Sequence, residues 1–459
     1  MTYSLSYIIS FLIGFFLLAV ILRRETSMLL STRLFLSMGL GLGISAYIVF
    51  CSFLFLDRLD NLFVIAGHFI LLALLVFIGR QSFRKEDFSL MNFRKLKSAG
   101  IRRVIPWIVL AASGLTLYLH AGLYPLGGWD AWSCWNLKAK FLFLGGADWK
   151  NILDPALWRS SPHYPLLLPL VNVWGWIWAQ DTAPIIPLIN SVLFSLITVG
   201  LLLSGLKMVT GRNTPGILGA CFLITLPFFN TLATSQYADI VVAYFVLAAL
   251  LCFVIAWRGE NKIFLFLTGL FLGFLSFSKS EGTIAALILA AIMTVTLLVS
   301  RKTKGSLGLN SVLYFLSGLL IASLPTIIFQ LLYAPPNQTF TSIFSGLTER
   351  VGLYRLKAIA LFFLAELTSA KWGGIWIILL AGMILSVKKS LRQEKIVFPA
   401  FFALYGLTVA FYYWLNTYFE ILWWLSVSLN RILFSLLPAA LFWILYSFWE
   451  DNNKEGRKA

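Results

Sequence analysis

Five ionisable residues sit where this chain passes between apolar and polar sequence. Asp130 lies in Gly127-Gly128-Trp129-Asp130-Ala131-Trp132, and Asp239 ends Ser235-Gln236-Tyr237-Ala238-Asp239. Lys279 and Glu281 lie in Phe277-Ser278-Lys279-Ser280-Glu281-Gly282, and Arg431 in Ser428-Leu429-Asn430-Arg431. Charged groups inside or at the edge of apolar segments are costly, which makes them functional candidates by default. The plain alternative is that they pair with one another, Asp239 with Lys279 or Glu281 with Arg431. As a set they suit one chemistry, transfer from a polyprenyl-phosphate sugar. A carboxylate can take the proton of an acceptor hydroxyl as that oxygen attacks an anomeric carbon. Lys and Arg can carry the charge of the phosphate that leaves, Arg by a two-point contact. His163, in His163-Tyr164-Pro165, has two open readings, a phosphate or acceptor contact and a structural hydrogen bond. Trp129 and Trp132 offer faces for sugar C–H surfaces, although an interfacial Trp is by default a membrane anchor. Tyr164, Tyr237 and Glu281 complete the candidate substrate lining.

These residues need elements to hold them, and composition says which kind. The chain has 459 residues, 59% hydrophobic and 12% charged, with mean hydropathy +0.86. Repeated long apolar runs predict an all-α polytopic membrane bundle. Thirteen spans are expected: 4–22, 34–56, 62–79, 104–122, 185–206, 214–229, 240–257, 263–277, 283–300, 312–333, 372–387, 397–414 and 425–448. Alternate connections then divide the charge unevenly. One side carries 25 Lys and Arg against 8 Asp and Glu, and the other carries 11 of each. The whole excess of +17 therefore falls on one side, which the positive-inside rule makes the cytoplasm. The N-terminus is then outside and the C-terminus cytoplasmic. All five residues fall on the outer face, next to the long outer loops 123–163 and 334–370.

That charge distribution accounts for the basic character by topology and anionic lipid. No basic stripe outside the short loops points to nucleic acid. Residues 1–10 carry no positive charge, and Arg23 and Arg24 follow the first apolar run, so no cleavable signal peptide is expected. The basic loop 80–103 is the expected boundary between a three-helix N-terminal membrane unit, 1–103, and a transmembrane core, 104–459. The apolar segment 164–179, with Pro165, Pro169, Asn172 and three tryptophans, reads as interfacial or re-entrant rather than as a span. The four cysteines show no zinc spacing, and Cys134, alone in the large outer loop, reads as packing.

The order of these features resembles the GT-C class of membrane glycosyltransferases, closest to the bacterial branch of protein-mannosyltransferases and lipid A aminoarabinose transferases. The resemblance covers residues 104 to about 440. It rests on a span followed by Asp130, a long outer loop ending His163-Tyr164-Pro165-Leu166, and Ala238-Asp239-Ile240-Val241-Val242-Ala243. It also rests on the Lys279 turn after Gly273, and on Arg431 ahead of Leu436-Leu437-Pro438. It implies an inverting glycosyltransferase in the bacterial inner membrane, with Asp130 as catalytic base and Asp239 as second acid. Lys279 and Arg431 would sit near the donor phosphate. The implied partners are a lipid-linked sugar donor, a glycan, lipid or protein acceptor, and membrane lipid. The class often has an acidic pair at the first site. Here Ala131 follows Asp130, so no divalent metal or other cofactor is called for.

Two other readings compete. A transporter or flippase of lipid-linked glycans would place its charges at mid-bilayer and show paired interrupted helices. A polymerase or ligase of lipid-linked oligosaccharides would use a similar donor lipid.

Overall fold

In the computed structural model the described residues are 2–22, 28–80, 105–300, 309–337, 339–343 and 352–449. They form helices joined by turns, with no strand among them. The helices are α1 Ser4–Leu22, α2 Leu30–Leu56, α3 Asn61–Gly79, α4 Ile105–Leu123, α5 Asn136–Leu144, α6 Leu167–Ala179, α7 Ile185–Thr210, α8 Asn213–Ile224 and α9 Pro227–Thr234. They continue as α10 Asp239–Gly259, α11 Lys262–Ser278, α12 Ser280–Ser300, α13 Leu309–Leu332, α14 Leu353–Thr368, α15 Ile375–Leu385, α16 Val397–Leu415 and α17 Ile421–Trp449. Among the described residues nine helices are long and apolar enough to cross a membrane, or ten if α8 and α9 form one span. The chain is thus an all-α polytopic bundle with the build of an integral membrane protein. The basic stretch 81–103, with the expected boundary at residue 103, lies outside the described residues.

α10 is the hub. It is buried along almost its whole length and packs on α2, α7, α11 and α17. Its small residues Ala243, Ala248 and Ala249 let neighbours approach where no water drives helices together. The same device joins α11 to α13, where Gly269 and Gly318 each face the partner's backbone. The first helices are tied into this body. Gly39 of α2 lies against the ring of Tyr244 in α10, whose hydroxyl donates to the Phe35 carbonyl at 2.9 Å.

Several apolar stretches form helices shorter than a span. α11 has 17 residues and α15 has 11. α8 and α9 meet at a 72° bend. Pro227 opens α9, where its missing N–H costs nothing. The bend leaves the Ile224 carbonyl outside the helical ladder, and Ser113 Oγ (2.8 Å) and Asn230 Nδ2 (3.1 Å) both donate to it. α6, the apolar segment at 164–179, has 13 residues. At 1.5 Å per residue it is about 20 Å long, short of the roughly 30 Å of a hydrocarbon core. Protein rather than lipid covers it: Trp174 donates to the Ser6 carbonyl at 3.0 Å and stacks flat on His68 at 3.7 Å.

Candidate functional site

Two turns bring the first two carboxylates together. After α4 the chain reverses at Gly127, in the left-handed region at φ +75°, where a Cβ would crowd the Ser235 carbonyl. Gly128 is equally confined, because a Cβ there would collide with the Tyr237 hydroxyl. Its N–H donates to the Ser235 carbonyl at 3.1 Å. The opposing turn holds Gln236 in the left-handed region at φ 61°. A chain of largely buried amides cross-links the two. Asn190 donates to Asn172 (2.7 Å), Asn172 to Asn136 (3.1 Å), Asn136 to Gln236 (2.7 Å), and Gln236 to the Pro125 carbonyl (3.0 Å). Asp130 then opens a five-residue π turn, Ala131–Trp135, an irregularity frequent at functional sites. Its carboxylate makes no capping bond there, so it reaches across to the last helix.

There it meets Arg431, 301 residues away, through a direct charge-assisted hydrogen bond from Nη1 to Asp130 Oδ2. Asp239 Oδ2 lies 4.0 Å from the same Nη1. Asp239 Oδ1 accepts from Lys279 Nζ at 3.0 Å, and Glu281 Oε1 lies 3.1 Å from that ammonium. All five charged candidates form one connected cluster of three carboxylates and two cations. Of the pairings open from sequence, Asp239 with Lys279 forms. Glu281 turns to Lys279 as well, and Arg431 turns to Asp130.

Exposure grades across the cluster. The Asp239 and Lys279 side chains are 2% and 6% exposed, Arg431 16%, Glu281 25% and Asp130 32%. Burial isolates the centre, and the side chains at the two ends are partly exposed. Lys279 occupies this centre because it is a single extended residue between α11 and α12. Ser435 of α17 donates to the Asp239 carbonyl at 3.3 Å, tying the last helix to the start of α10.

Tyr237 supports the Asp130 end. Its hydroxyl accepts from the Asp130 N–H at 3.4 Å, and its ring lies under the Arg431 guanidinium at 5.2 Å. Tyr164 lies near Lys279, its ring centroid 6.0 Å from Nζ. The other candidates stand apart. Trp129 and Trp132 pair edge to face at 4.3 Å and are exposed. His163 packs edge-on to Tyr164, and its carbonyl accepts from Gln330 at 3.2 Å. Burial, with Lys138 second, holds its imidazole down to about 3. A neutral His163 can offer a phosphate a hydrogen bond but no charge.

Lys138 is a residue that the charge pattern does not single out. It is fully buried, donates to the carbonyls of Ser161 (2.5 Å) and Tyr164 (3.4 Å), and so pins the turn that carries His163. Burial draws its ammonium down to about 8. Its place at four-residue spacing between the buried Cys134 and Leu142, across the π turn and α5, was the available signal. Burial pushes the Cys134 thiol up to about 11, which leaves it packed and unreactive. Among the described residues no three His, Cys, Asp or Glu side chains gather to hold a metal ion. An open cavity of about 430 Å³ lies away from the cluster, between residues 150–155 and Leu332 and Tyr333.

The cluster can hold a proton-accepting carboxylate, Asp130, beside a cation able to receive an anion, Arg431. No protein family, no curated protein and no solved structure matches the chain.

Proposed function

We propose that this chain is a GT-C-like inverting glycosyltransferase that moves a sugar from a polyprenyl-phosphate donor to an acceptor at the outer face of a bacterial inner membrane. The observation that carries the reading is the cluster itself: Asp130, Asp239, Lys279, Glu281 and Arg431, from four separate parts of the sequence, are joined in one ionic network. The reading takes the core as residues 104–459, the first 103 residues as an added unit, and thirteen spans with the N-terminus outside.

Charge balance suggests how the parts would work. Three carboxylates already surround two cations, so a phosphate gains a cation only by displacing a carboxylate. Asp130 is the most exposed of the three and holds Arg431. The donor phosphate would take Arg431, with Lys279 behind it, and free Asp130 at the moment the donor is seated. Asp130 then accepts the proton of the acceptor hydroxyl as that oxygen bonds to the anomeric carbon. The anomeric carbon–oxygen bond to the phosphate breaks, and its electron pair leaves on the phosphate beside Arg431. Asp239, nearly inaccessible, keeps Lys279 and Arg431 in register.

Transfer in vitro from a panel of polyprenyl-phosphate and polyprenyl-diphosphate sugars tests the proposal. Sugar transfer by wild type that is lost in Asp130→Asn supports it. Passage of intact lipid-linked glycan across vesicles without transfer would replace it with the flippase, and chain extension from diphosphate donors with the polymerase or ligase.

A further inference from the structure

We propose that Glu281 recognises the donor sugar: its second carboxylate oxygen, beside Lys279 and near Tyr405, accepts hydroxyl hydrogens of the ring whose phosphate Lys279 and Arg431 hold. The inference rests on the lipid-linked donor reading above and deepens it. Glu281 has a role left over. Oε1 is engaged by Lys279 at 3.1 Å, whereas Oε2 is buried and has no hydrogen-bond partner among the described residues. A buried acceptor in that state is costly unless a donor reaches it.

The surroundings select the kind of donor. Glu281 lies in the first turn of α12. Tyr405 of α16 directs its hydroxyl at the Glu281 carbonyl, 3.5 Å away. Tyr164 stands near the same ammonium, its ring centroid 6.0 Å from Lys279 Nζ. Further hydroxyls line the same region: Tyr413 bonds Ser428 at 2.6 Å, and Tyr412 bonds Thr339 of the second outer loop at 2.9 Å. A carboxylate repels phosphate and offers it no proton, so this end of the cluster does not suit the donor's charged group. Ring faces, hydroxyls and a carboxylate oxygen suit a polyhydroxylated ring, which stacks by its C–H face and donates by its hydroxyls. Glu281 itself adjoins Lys279, which matches a sugar joined to its phosphate through the anomeric oxygen.

The test measures binding to purified wild type, Glu281→Gln and Glu281→Asp, with no acceptor present. The probes are bare polyprenyl phosphate and the same lipid carrying glucose, mannose or arabinose. Wild type should bind at least one glycosylated lipid more tightly than the bare lipid. Glu281→Gln should weaken that lipid roughly ten- to hundredfold, the range of a lost charge-assisted hydrogen bond. Its binding of bare polyprenyl phosphate should hold or tighten, because a negative charge has gone. Glu281→Asp keeps the charge but withdraws the oxygen, and should lose the sugar preference too; it decides the matter if the Gln variant fails to fold. Equal losses for bare and glycosylated lipid, an unchanged preference in a folded variant, or a wild type indifferent to all three sugars would overturn the assignment. So would an effect seen only in the KM of the acceptor. If wild type binds none of the lipids, the glycosyltransferase reading falls and this inference with it.

Discussion

Neutralising Asp239 and neutralising Asp130 should have opposite kinds of consequence, although both carboxylates touch Arg431. Asp239 is 2% exposed, with Lys279 at 3.0 Å and Arg431 at 4.0 Å. Asp239→Asn keeps the shape and leaves a buried lysine dependent on Glu281 alone. Removing one partner of a buried pair costs about 3–5 kcal/mol, a large share of a net stability of roughly 5–15 kcal/mol. At roughly 2 °C per kcal/mol, the melting temperature falls by about 5–10 °C. Asp130 is 32% exposed. Solvent reaches Asp130, and its loss leaves Arg431 with Asp239 at 4.0 Å, so Asp130→Asn should lower the melting temperature less than Asp239→Asn does. Its turnover should fall on the order of a hundred- to ten-thousandfold, the usual contribution of a general base. The chain carries its own probe. Cys134 and Cys252 are buried free thiols, so a thiol-reactive fluorogenic dye reports melting. The reasoning is refuted if Asp239→Asn melts with wild type, or if Asp130→Asn keeps turnover within about tenfold.

Other consequences can be measured on the same preparation. His163 titrates near 3 when folded and near 6.5 when unfolded, so the unfolded chain binds its proton first as pH falls. Wild type should therefore lose up to about 2 kcal/mol between pH 6.5 and 5 that His163→Gln does not lose; parallel stability–pH curves for the two proteins would contradict this. Gly128→Ala drives a methyl group into the Tyr237 hydroxyl. It should cut turnover while donor binding survives, and wild-type kinetics would show that the turn is compliant. For topology, a cysteine placed in the Pro335 loop should react with an impermeant reagent from outside. Ser89→Cys and a C-terminal cysteine should react only after permeabilisation; labelling of Ser89→Cys in intact cells would invert the assigned orientation.

The helical class and the five charged residues were legible because both are written in cost. Long apolar runs have one economical fold in lipid, and a charge at their edge stands out against them. The outcome of pairing was less legible, because it depends on which helix ends become neighbours. Arg431 could meet Glu281 on sequence grounds, and packing of α17 against α10 gave it Asp130 instead. The amide chain Asn190-Asn172-Asn136-Gln236 left no trace, since isolated amides read as ordinary turn and cap residues. Nor does periodicity forecast a π turn after Asp130 or a left-handed Gln236. Nor does hydropathy say where a helix stops: α11 and α15 have 17 and 11 helical residues within longer apolar runs.

The long separation between Asp130 and Arg431 fixes an order of events during biosynthesis. Asp239 and Lys279 belong to successive helices and can neutralise each other as that hairpin leaves the ribosome, which lowers the cost of passing two charges into the bilayer. Asp130 emerges far earlier and has no partner from this network until the final helix is made. A nascent or truncated chain that ends before α17 would thus be inserted but inert. On the proposed function, donor lipid in the same membrane would meet a complete cluster only after the last segment docks, so completion of the chain would license the chemistry.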